Sequence, residues 1–437
     1  MPTNNQKKLK TIMSMLKNLE NLAKNSSKLK FTQIYNLMQN KELYLTAIKN
    51  LKTSKNHHNL SFDKLQQLEM MKEIHKMENK SNKKHNFPTK IKTLIIQEMT
   101  RMIMEPMFEP TFQKSSHGMR KTCSTKTALN RAYQTMYYAE WTMKINSIKS
   151  PACTNNHKMM KFIKSRISDV KFINLMWTLI KSNYTKEWEY NKTSLSQTPH
   201  MTIIGPLMLN IYLNEMDKFL MNLQNKSQLY LTYTRYLNDC LIGMTGKQEE
   251  MMKIKTKLKI FMTHNLMIHT QKKDLPINQM TKTMTPFMGI SLYKLNSHKN
   301  PIMTKPQRVK MYAHLPTIMM TLHHSKFCNI KGKPEPKFKW YKLTHSAIIK
   351  AYNNKMQEYR EYYTMVDNFQ ELNMTIQFIL VRSCAKLLAA KMNLGTMAKV
   401  FKKYGKNCQC GEIMLNTKKT NMKIKMPPHL MSKTKTT

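Results

Sequence analysis

Apolar residues recur at helical spacing along most of the chain, and short apolar runs that suit strands are concentrated in its middle. Residues 1–85 are predicted to form helices separated by polar breaks, and residues 86–295 to combine short strands with helices. From about residue 344 the chain is again predicted to be helical. Three apolar stripes there each follow one helix face, and we interpret them as core packing. The stripes are Ile349, Tyr352, Met356, Tyr359 and Tyr363; Ile376, Leu380, Cys384 and Leu387; and Met397, Val400, Phe401 and Tyr404.

A tight hairpin is predicted in the middle of the chain. The apolar runs Leu229–Tyr233 and Cys240–Met244 flank the sequence Tyr236-Leu237-Asn238-Asp239. Asn and Asp favour turns, because their short polar side chains hydrogen-bond to the nearby backbone. The tip of the hairpin therefore presents one carboxylate, that of Asp239. Turn chemistry alone explains the Asn-Asp pair, so any further role of this carboxylate depends on its surroundings.

Two helices are predicted on either side of this hairpin. The first runs from Leu207 to Leu220 and follows Pro206, which suits the first position of a helix. The second begins at Thr245-Gly-Lys-Gln248, a sequence with the pattern of a capping box. We expect this second helix to bury four apolar side chains, which are those of Met251, Ile254, Leu258 and Phe261.

The charge of the chain is extreme. Its 73 Lys and Arg residues against 25 Asp and Glu residues leave a net charge of +48. Self-repulsion on this scale destabilises a compact fold unless a polyanion neutralises it, so nucleic acid is the favoured partner. A merely well-solvated surface is the alternative, but solubility needs far less charge. We expect no membrane span, because no apolar run approaches the roughly 18 residues that a spanning helix needs.

The composition also indicates where the gene resides. The chain has only 9 Gly, and its 42 Met residues outnumber the Ile residues. Together with abundant Lys, Asn and Thr, this skew suggests an AT-rich gene read with a code in which an isoleucine codon means methionine. Some mitochondria use such a code. We therefore expect an organellar protein of the mitochondrion, with the plastid as the alternative.

Cysteine and histidine residues give little sign of a metal site. The seven cysteines are scattered apart from Cys408 and Cys410. That pair resembles half of a zinc site, but no second Cys or His pair follows, so we interpret the two as free thiols. His323 and His324 have no acidic or Cys partner nearby in the sequence, and we interpret them as surface residues.

Four sequence blocks follow one another in a fixed order. They are 94–120 with its Ser115-Ser-His-Gly118; 198–219; 236–243 with 287–289; and 306–307 with 345–363, 383–389 and 399–406. These blocks resemble the group II intron-encoded reverse transcriptases and maturases, the first three the fingers and palm and the last the maturase domain. The early segment with Phe31, Tyr35 and Tyr44 is similar to the N-terminal extension of that family, so the resemblance spans about residues 20–407.

The resemblance implies an α+β fold. A right-hand arrangement of fingers and palm, with a mixed sheet and helices, would be followed by an α-helical thumb or maturase domain. The implied domains are an N-terminal helical extension of the fingers (1–85), the fingers and palm (86–300) and the helical thumb and maturase domain (301–407). A basic, disordered tail (408–437) would complete the chain.

The polymerase site implied by the resemblance is degenerate. The family holds two divalent metal ions with three aspartates, one on an early palm strand and two at the hairpin tip. In this sequence Ser147 and Asn238 stand at two of these positions, and only Asp239 remains as a candidate catalytic and metal-binding residue. No acidic residue occurs from Trp141 to Ser168, so a shifted alignment cannot restore one. The family's glycines around 197–202 are also lost, with Met201 as the bulkiest replacement.

Because two of the three metal-binding aspartates are replaced, we expect a function that does not depend on catalysis by the protein. We expect a maturase that binds group II intron RNA or its precursor and promotes splicing, with Mg²⁺ as cofactor only if polymerase activity is retained. Two alternatives stay open, an active RNA-directed DNA polymerase that supports intron mobility and a non-enzymatic organellar RNA-binding subunit. The oligomeric state is also open. The candidate RNA-binding residues are Lys92, Arg120, Lys350, Tyr352, Arg360, Arg382, Lys386, Lys399, Lys402 and Lys403.

Overall fold

The computed structural model describes residues 4–26, 28–53, 90–145, 154–181, 203–269, 275–295, 309–406, 408 and 415. The described chain has a mixed α+β fold, as the sequence predicts. It divides into two compact units. The first contains residues 1–190 and 199–277, and the second contains residues 191–198 and 278–437. Ser147, the lost glycines of 197–202 and nearly all of the predicted basic tail lie outside the described residues.

Helices make up most of the first unit. A buried arginine ties three of its segments together. Arg166 donates to the carbonyls of Ala23 and Ser26 and to that of Met107, and its guanidinium stacks on the ring of Phe31. Carbonyls near helix C-termini lack partners within the helix, and this side chain satisfies several at once. The helices are α1 (Asn4–Asn25), α2 (Tyr35–Met38), α3 (Lys41–Thr53), α4 (Lys90–Phe108), α5 (Thr125–Met136), α6 (Asn156–Lys164), α7 (Val170–Lys181), α8 (Gly205–Lys226) and α9 (Gln248–His264).

An antiparallel sheet forms the centre of the first unit. Its strands are β1 (Trp141–Ile145), β2 (Leu231–Tyr236) and β3 (Asp239–Met244), with β3 between the other two. The short strand β4 (Ile277–Gln279) begins at the last residue of the first unit. β2 and β3 are buried almost throughout. The hairpin is therefore part of the core of the first unit.

The helices that flank the hairpin differ in detail from the prediction. The first extends beyond the predicted Leu207–Leu220 and runs from Gly205 to Lys226. The second begins at Gln248, and Thr245 does not cap it. Instead the Glu250 carboxylate accepts a hydrogen bond from the Lys247 backbone, at the first turn. Of its predicted core residues Met251 and Leu258 are buried, Ile254 and Phe261 are only half-buried, and Met262 is buried in addition.

The second unit combines a small sheet with a helical layer. Its antiparallel strands are β5 (Thr285–Phe287), β6 (Ile290–Lys294) and β7 (Val309–Ala313), with β6 in the middle. Asp367 fastens the helical layer to β7, because its carboxylate accepts from the Met311 backbone and pairs with Lys310. The helices are α10 (Leu315–His324), α11 (His345–Tyr362), α12 (Phe369–Lys391) and α13 (Met397–Tyr404), with a 3₁₀ turn at Phe338–Trp340.

The core of the helical layer follows the predicted stripes. The first two stripes, on α11 and α12, are buried throughout, and in the third Val400 is buried while its neighbours are half-buried. Among the described residues α12 alone is long and apolar enough to cross a membrane. However, 61% of its most apolar stretch is buried inside the fold, as in the core helix of a globular domain.

Candidate functional site

The hairpin predicted around Asp239 is confirmed. β2 and β3 pair antiparallel with Tyr236 opposite Asp239, so Leu237 and Asn238 form a two-residue turn. Leu237 has a φ of 54°, in the left-handed region that residues other than glycine rarely adopt. Its side chain is also buried. Contacts beneath the turn must therefore hold it in this conformation.

A buried ion pair supports the turn from below. Arg235 of β2 and Asp217 of α8 are both fully buried. Arg235 Nε lies 2.9 Å from Asp217 Oδ1, and Arg235 Nη2 lies 2.6 Å from Asp217 Oδ2. Its Nη1 donates to the Leu237 carbonyl at 2.8 Å and to Asn210 Oδ1 at 3.0 Å. Burial disfavours the charge of Arg235, but the adjacent Asp217 carboxylate more than compensates, so the pKa of the guanidinium is raised.

The segment Ser115-Ser-His-Gly118 lies beside β2 and reaches the turn. The Arg235 backbone N–H donates to the Ser115 carbonyl, and the His117 N–H donates to the Arg235 carbonyl, both at 2.8 Å. Gly118 then approaches the turn so closely that an added Cβ would lie 2.3 Å from the Leu237 nitrogen. Glycine permits this approach because it lacks a Cβ. The first and third blocks of the sequence are thus brought together at the hairpin.

The Asp239 carboxylate is paired with a lysine. Lys144 of β1 places its Nζ 3.3 Å from Asp239 Oδ1, and both side chains are less than one fifth exposed. β1 reaches the tip because it pairs with β3, with Lys144 opposite Leu241 and Ile145 opposite Cys240. The one carboxylate at the tip is therefore neutralised by a cation of the chain itself.

This arrangement does not fit a pair of divalent metal ions. Hard cations need several oxygen ligands and compensating negative charge, whereas the tip offers Asp239, the neutral amide of Asn238 and the Lys144 ammonium. Within the described part of the chain no group of three His, Cys, Asp or Glu side chains is suited to a metal ion. Ser147, at the position of the family's remaining aspartate, lies outside the described residues.

Arg120 and Lys92, two predicted RNA contacts, lie in the first unit and face inward. Arg120 Nε donates to Glu109 Oε1 at 2.8 Å, and its Nη1 donates to two backbone carbonyls. Nearby, Arg101 is bridged to the carboxylates of Glu98 and Glu105. Both arginines line a pocket of about 200 Å³, and Lys92 is only 9% exposed. The fold thus engages the Arg120 charge in an internal ion pair and buries most of Lys92, and the role of both residues in RNA binding stays a prediction.

The other predicted RNA contacts belong to the second unit, and four of them are well exposed. These four are Lys350 on α11 and Lys399, Lys402 and Lys403 on α13. Three more are half-buried with partners in the fold. Arg360 donates to Asn373 Oδ1, Arg382 stacks over Phe378 at 3.7 Å, and Lys386 donates to the Pro334 carbonyl.

Tyr352 is a core residue, which corrects its assignment as an RNA contact. Its side chain is fully buried, and its ring packs against Phe327 and Trp340. The hydroxyl lies 2.8 Å from Ser383 Oγ, and burial raises the pKa of the phenol well above its usual value. A ring enclosed in this way has no face left for a base. The apolar stripe on α11, rather than RNA binding, accounts for Tyr352.

Comparison with known proteins shows which family the chain resembles. Residues 306–437 match the family model of the Type II intron maturase. The chain is similar to the group II intron-encoded proteins. It is 24% identical to the group II intron-encoded protein LtrA of Lactococcus lactis subsp. cremoris over 478 residues, which cover 87% of this chain and 78% of LtrA. The resemblance found in the sequence is thereby confirmed.

Two further proteins to which the chain is similar are longer than the chain itself. The COX1/OXI3 intron 1 protein of Saccharomyces cerevisiae is 25% identical over 72% of the chain, and the mitochondrial protein ymf11 of Marchantia polymorpha is 22% identical over 73%. The chain spans only 45% and 56% of their lengths. A solved telomerase from Candida albicans aligns over 79% of the chain and 60% of its own length, at 9% identity and a TM-score of 0.33.

The sequence did not single out several residues that shape the site. Arg235, Asp217, Asn210 and Lys144 together hold and neutralise the hairpin tip. A signal for the first of these was present, since Arg235 interrupts an otherwise uncharged strand next to the tip. A charge in such a run needs a buried partner. Which carboxylate supplies it depends on tertiary structure.

Proposed function

We propose that this chain is a maturase that binds structured group II intron RNA and promotes its splicing, without reverse transcriptase activity. The observation that carries the proposal is the distribution of charge in the part matched by the maturase family. Between Glu371 and Glu412 there are seven basic residues and no acidic ones. They are Arg382, Lys386, Lys391, Lys399, Lys402, Lys403 and Lys406.

Helix α13 is the part of this segment best suited to contact RNA. Its side chains Lys399, Lys402 and Lys403 are exposed, and so is Lys406 just beyond its end. The opposite face is fixed to the core by Val400. Helix α13 contains no acidic residue, so these charges have no carboxylate on their own helix. A row of exposed lysines on a fixed helix favours contacts with phosphates, which position a bound RNA without reading its bases.

The palm of the proposed fold serves as a scaffold. In this proposal the first unit corresponds to fingers and palm, and the helices of the second unit to the thumb and maturase domain. In this proposal the hairpin tip is the remnant of a polymerase site, and its carboxylate pairs with Lys144. The intron RNA itself supplies the splicing chemistry, so the protein needs only to stabilise the folded RNA. Selectivity would come from RNA shape and unpaired loops.

The proposed location is the mitochondrion. The Met-rich, Gly-poor composition suggests an organellar gene. The similarity to the mitochondrial protein ymf11 favours this organelle over the plastid. Affinity purification of the protein from organelles, followed by sequencing of the bound RNA, tests location and partner together. Recovery of RNAs without any group II intron would contradict the proposed partner.

Binding to a transcribed group II intron at increasing salt concentration tests the proposal. The full chain should bind tightly and lose affinity steeply as salt rises, because phosphate contacts release counterions. The triple variant K399Q/K402Q/K403Q should reduce the salt slope by about one for each phosphate that it no longer neutralises. Splicing of the same RNA at low Mg²⁺ should then require the protein and be weakened by the variant.

A matched control removes the same charge elsewhere. Lys253, Lys257 and Lys259 are exposed on α9 of the first unit, so K253Q/K257Q/K259Q has the same net charge as the α13 variant. We expect the control to retain most of the affinity and the splicing activity. If both variants behave alike, binding depends only on net charge, and the assignment to α13 is wrong. If the full chain binds without salt dependence, the proposed function itself fails.

A further inference from the structure

A basic groove with aromatic walls lies in the second unit. Its volume is about 820 Å³, within the range of about 300–1,000 Å³ that is usual for ligand sites. The loop 326–342 forms most of the wall, with Lys355 of α11 beside it. This loop carries six lysines, Lys326, Lys331, Lys333, Lys337, Lys339 and Lys342, against the single acid Glu335.

Lysine and aromatic side chains are interleaved in the groove. Lys337 Nζ lies 4.1 Å from the ring centroid of Phe327 and 4.5 Å from that of Trp340. Trp340 in turn packs edge-on against Tyr352 of the core. At the rim, the ring of Phe338 is 62% exposed, next to the partly exposed Tyr341. The Lys337 ammonium group thus lies near two rings, and the Phe338 side chain is exposed to solvent.

The loop is held in place by one face of α12. Ser383 donates to the Glu335 carbonyl, Lys386 to the Pro334 carbonyl and Lys391 to the Tyr341 carbonyl, at 2.5, 2.9 and 3.0 Å. Three helix side chains therefore fix the backbone on both sides of Phe338. A preorganised loop loses little entropy when a ligand binds. Phe338 is therefore exposed on a loop whose backbone is held in place on both sides.

The charges in the groove repel one another. Burial first, and then the nearby ammonium groups of Lys355 and Lys339, lower the pKa of Lys337 to about 8. Glu358 opposes this effect and pairs with Lys355 at 2.9 Å. A bound anion would offset the repulsion between these ammonium groups. The exposed ring beside them supplies a flat apolar surface of the kind on which bases stack.

We infer that this groove holds an unpaired nucleotide of the bound RNA, with its phosphate at Lys337 and Lys339 and its base stacked on Phe338. The inference rests on the proposed function, since it names the part of the RNA that one surface of the protein takes. Single-stranded RNA combines negative charge with exposed flat rings, and the groove offers the complement of both. A duplex keeps its bases stacked inside, so its phosphates could contact the lysines but its bases could not stack on Phe338.

Two binding measurements on the full chain separate the base contact from general charge. One probe is an unstructured oligoribonucleotide, and the other is an RNA duplex of equal length. F338A should lower affinity for the single strand about five- to tenfold, the lower part of the range for loss of one stacked base, and leave duplex affinity unchanged. K339Q should weaken both. Y138A is the matched control, because Tyr138 is 60% exposed on the first unit and its loss should change neither.

Photo-crosslinking gives an independent readout. A group II intron RNA substituted with 4-thiouridine should crosslink to peptides that contain Phe338 or Tyr341, and F338A should reduce this crosslink. If the RNA binds with steep salt dependence but F338A is unchanged and no crosslink falls in 326–342, the groove inference is overturned while the proposed function stands. If the full chain binds no RNA, the proposed function fails as well.

Discussion

Lys144 Nζ lies 3.3 Å from Asp239 Oδ1 at the tip of the central hairpin. The two side chains come from neighbouring strands, and each is largely buried. In the family that this chain resembles, a second aspartate at the tip and a third on the preceding strand would hold metal ions. Here the Lys144 ammonium group lies beside the one carboxylate at the tip.

The first prediction concerns polymerase activity. Purified full chain should extend no primer on an RNA template with either Mg²⁺ or Mn²⁺, because one neutralised carboxylate cannot hold two divalent ions. Primer extension with radiolabelled product checks this. The control for contaminating enzyme is D239A, which should give the same blank result. Product from the natural chain that D239A abolishes would contradict the assignment of the tip as a scaffold.

The second prediction concerns the buried pair beneath the tip. D217A leaves the Arg235 guanidinium buried without its carboxylate, and should lower the free energy of unfolding by about 3–5 kcal/mol. Urea denaturation followed by circular dichroism measures the change. The variant should also loosen Leu237, whose carbonyl accepts from the same guanidinium.

A double variant serves as the control for this pair. R235M/D217L removes both charges and fills the space with apolar atoms, so it should be clearly more stable than D217A. The coupling between the two positions then follows from the cycle of single and double variants. If D217A unfolds at the same urea concentration as the natural chain, the pair contributes nothing and the argument for a supported turn fails.

Much of the secondary structure was predictable because its causes are local. The stripes on α11 and α12 follow helical periodicity, and the apolar runs around Tyr236 and Asp239 define a hairpin. The start of α9 was predicted wrongly because two capping patterns overlap. Glu250 caps the backbone of Lys247, so the helix begins three residues after Thr245.

The site was less predictable, because its contacts are distant in sequence. Lys144 meets Asp239 only through pairing of β1 with β3, and Arg120 meets Glu109 only through folding of the first unit. In a chain with 73 basic residues, charge alone does not identify which of them face the solvent. Tyr352 illustrates the same limit, since a ring on a helix stripe suits both a core and a stacking surface until the packing is known.

The third prediction concerns the close approach of Gly118 to the turn. G118A should destabilise the chain by about 1–3 kcal/mol, because its new Cβ would meet the Leu237 backbone at 2.3 Å and neither backbone can yield freely. Thermal or urea unfolding measures the loss. G395A is a contrasting control, since Gly395 has open space around its Cβ position but a φ of 73°. It should cost about 1 kcal/mol through backbone strain alone.

The last prediction concerns the pH dependence of RNA binding at the basic groove. The pKa of Lys337 is lowered to about 8 by burial and by Lys355 and Lys339, so the free protein loses this charge as the pH rises through that value. A bound phosphate favours the protonated form. Affinity for the single-stranded probe should therefore be highest below the pKa and fall about tenfold between about pH 7 and 9.

The arginine variant at the same position isolates the titrating group. K337R keeps a positive charge at all of these pH values, because a guanidinium does not lose its proton there. Its affinity should stay level where that of the natural chain falls, as measured by fluorescence anisotropy at constant ionic strength. Equal slopes for the two proteins would assign the pH dependence to other groups. If the affinity of K337R stays constant while that of the natural chain falls with pH, the pH dependence arises from the proton on Lys337, which contacts the bound phosphate.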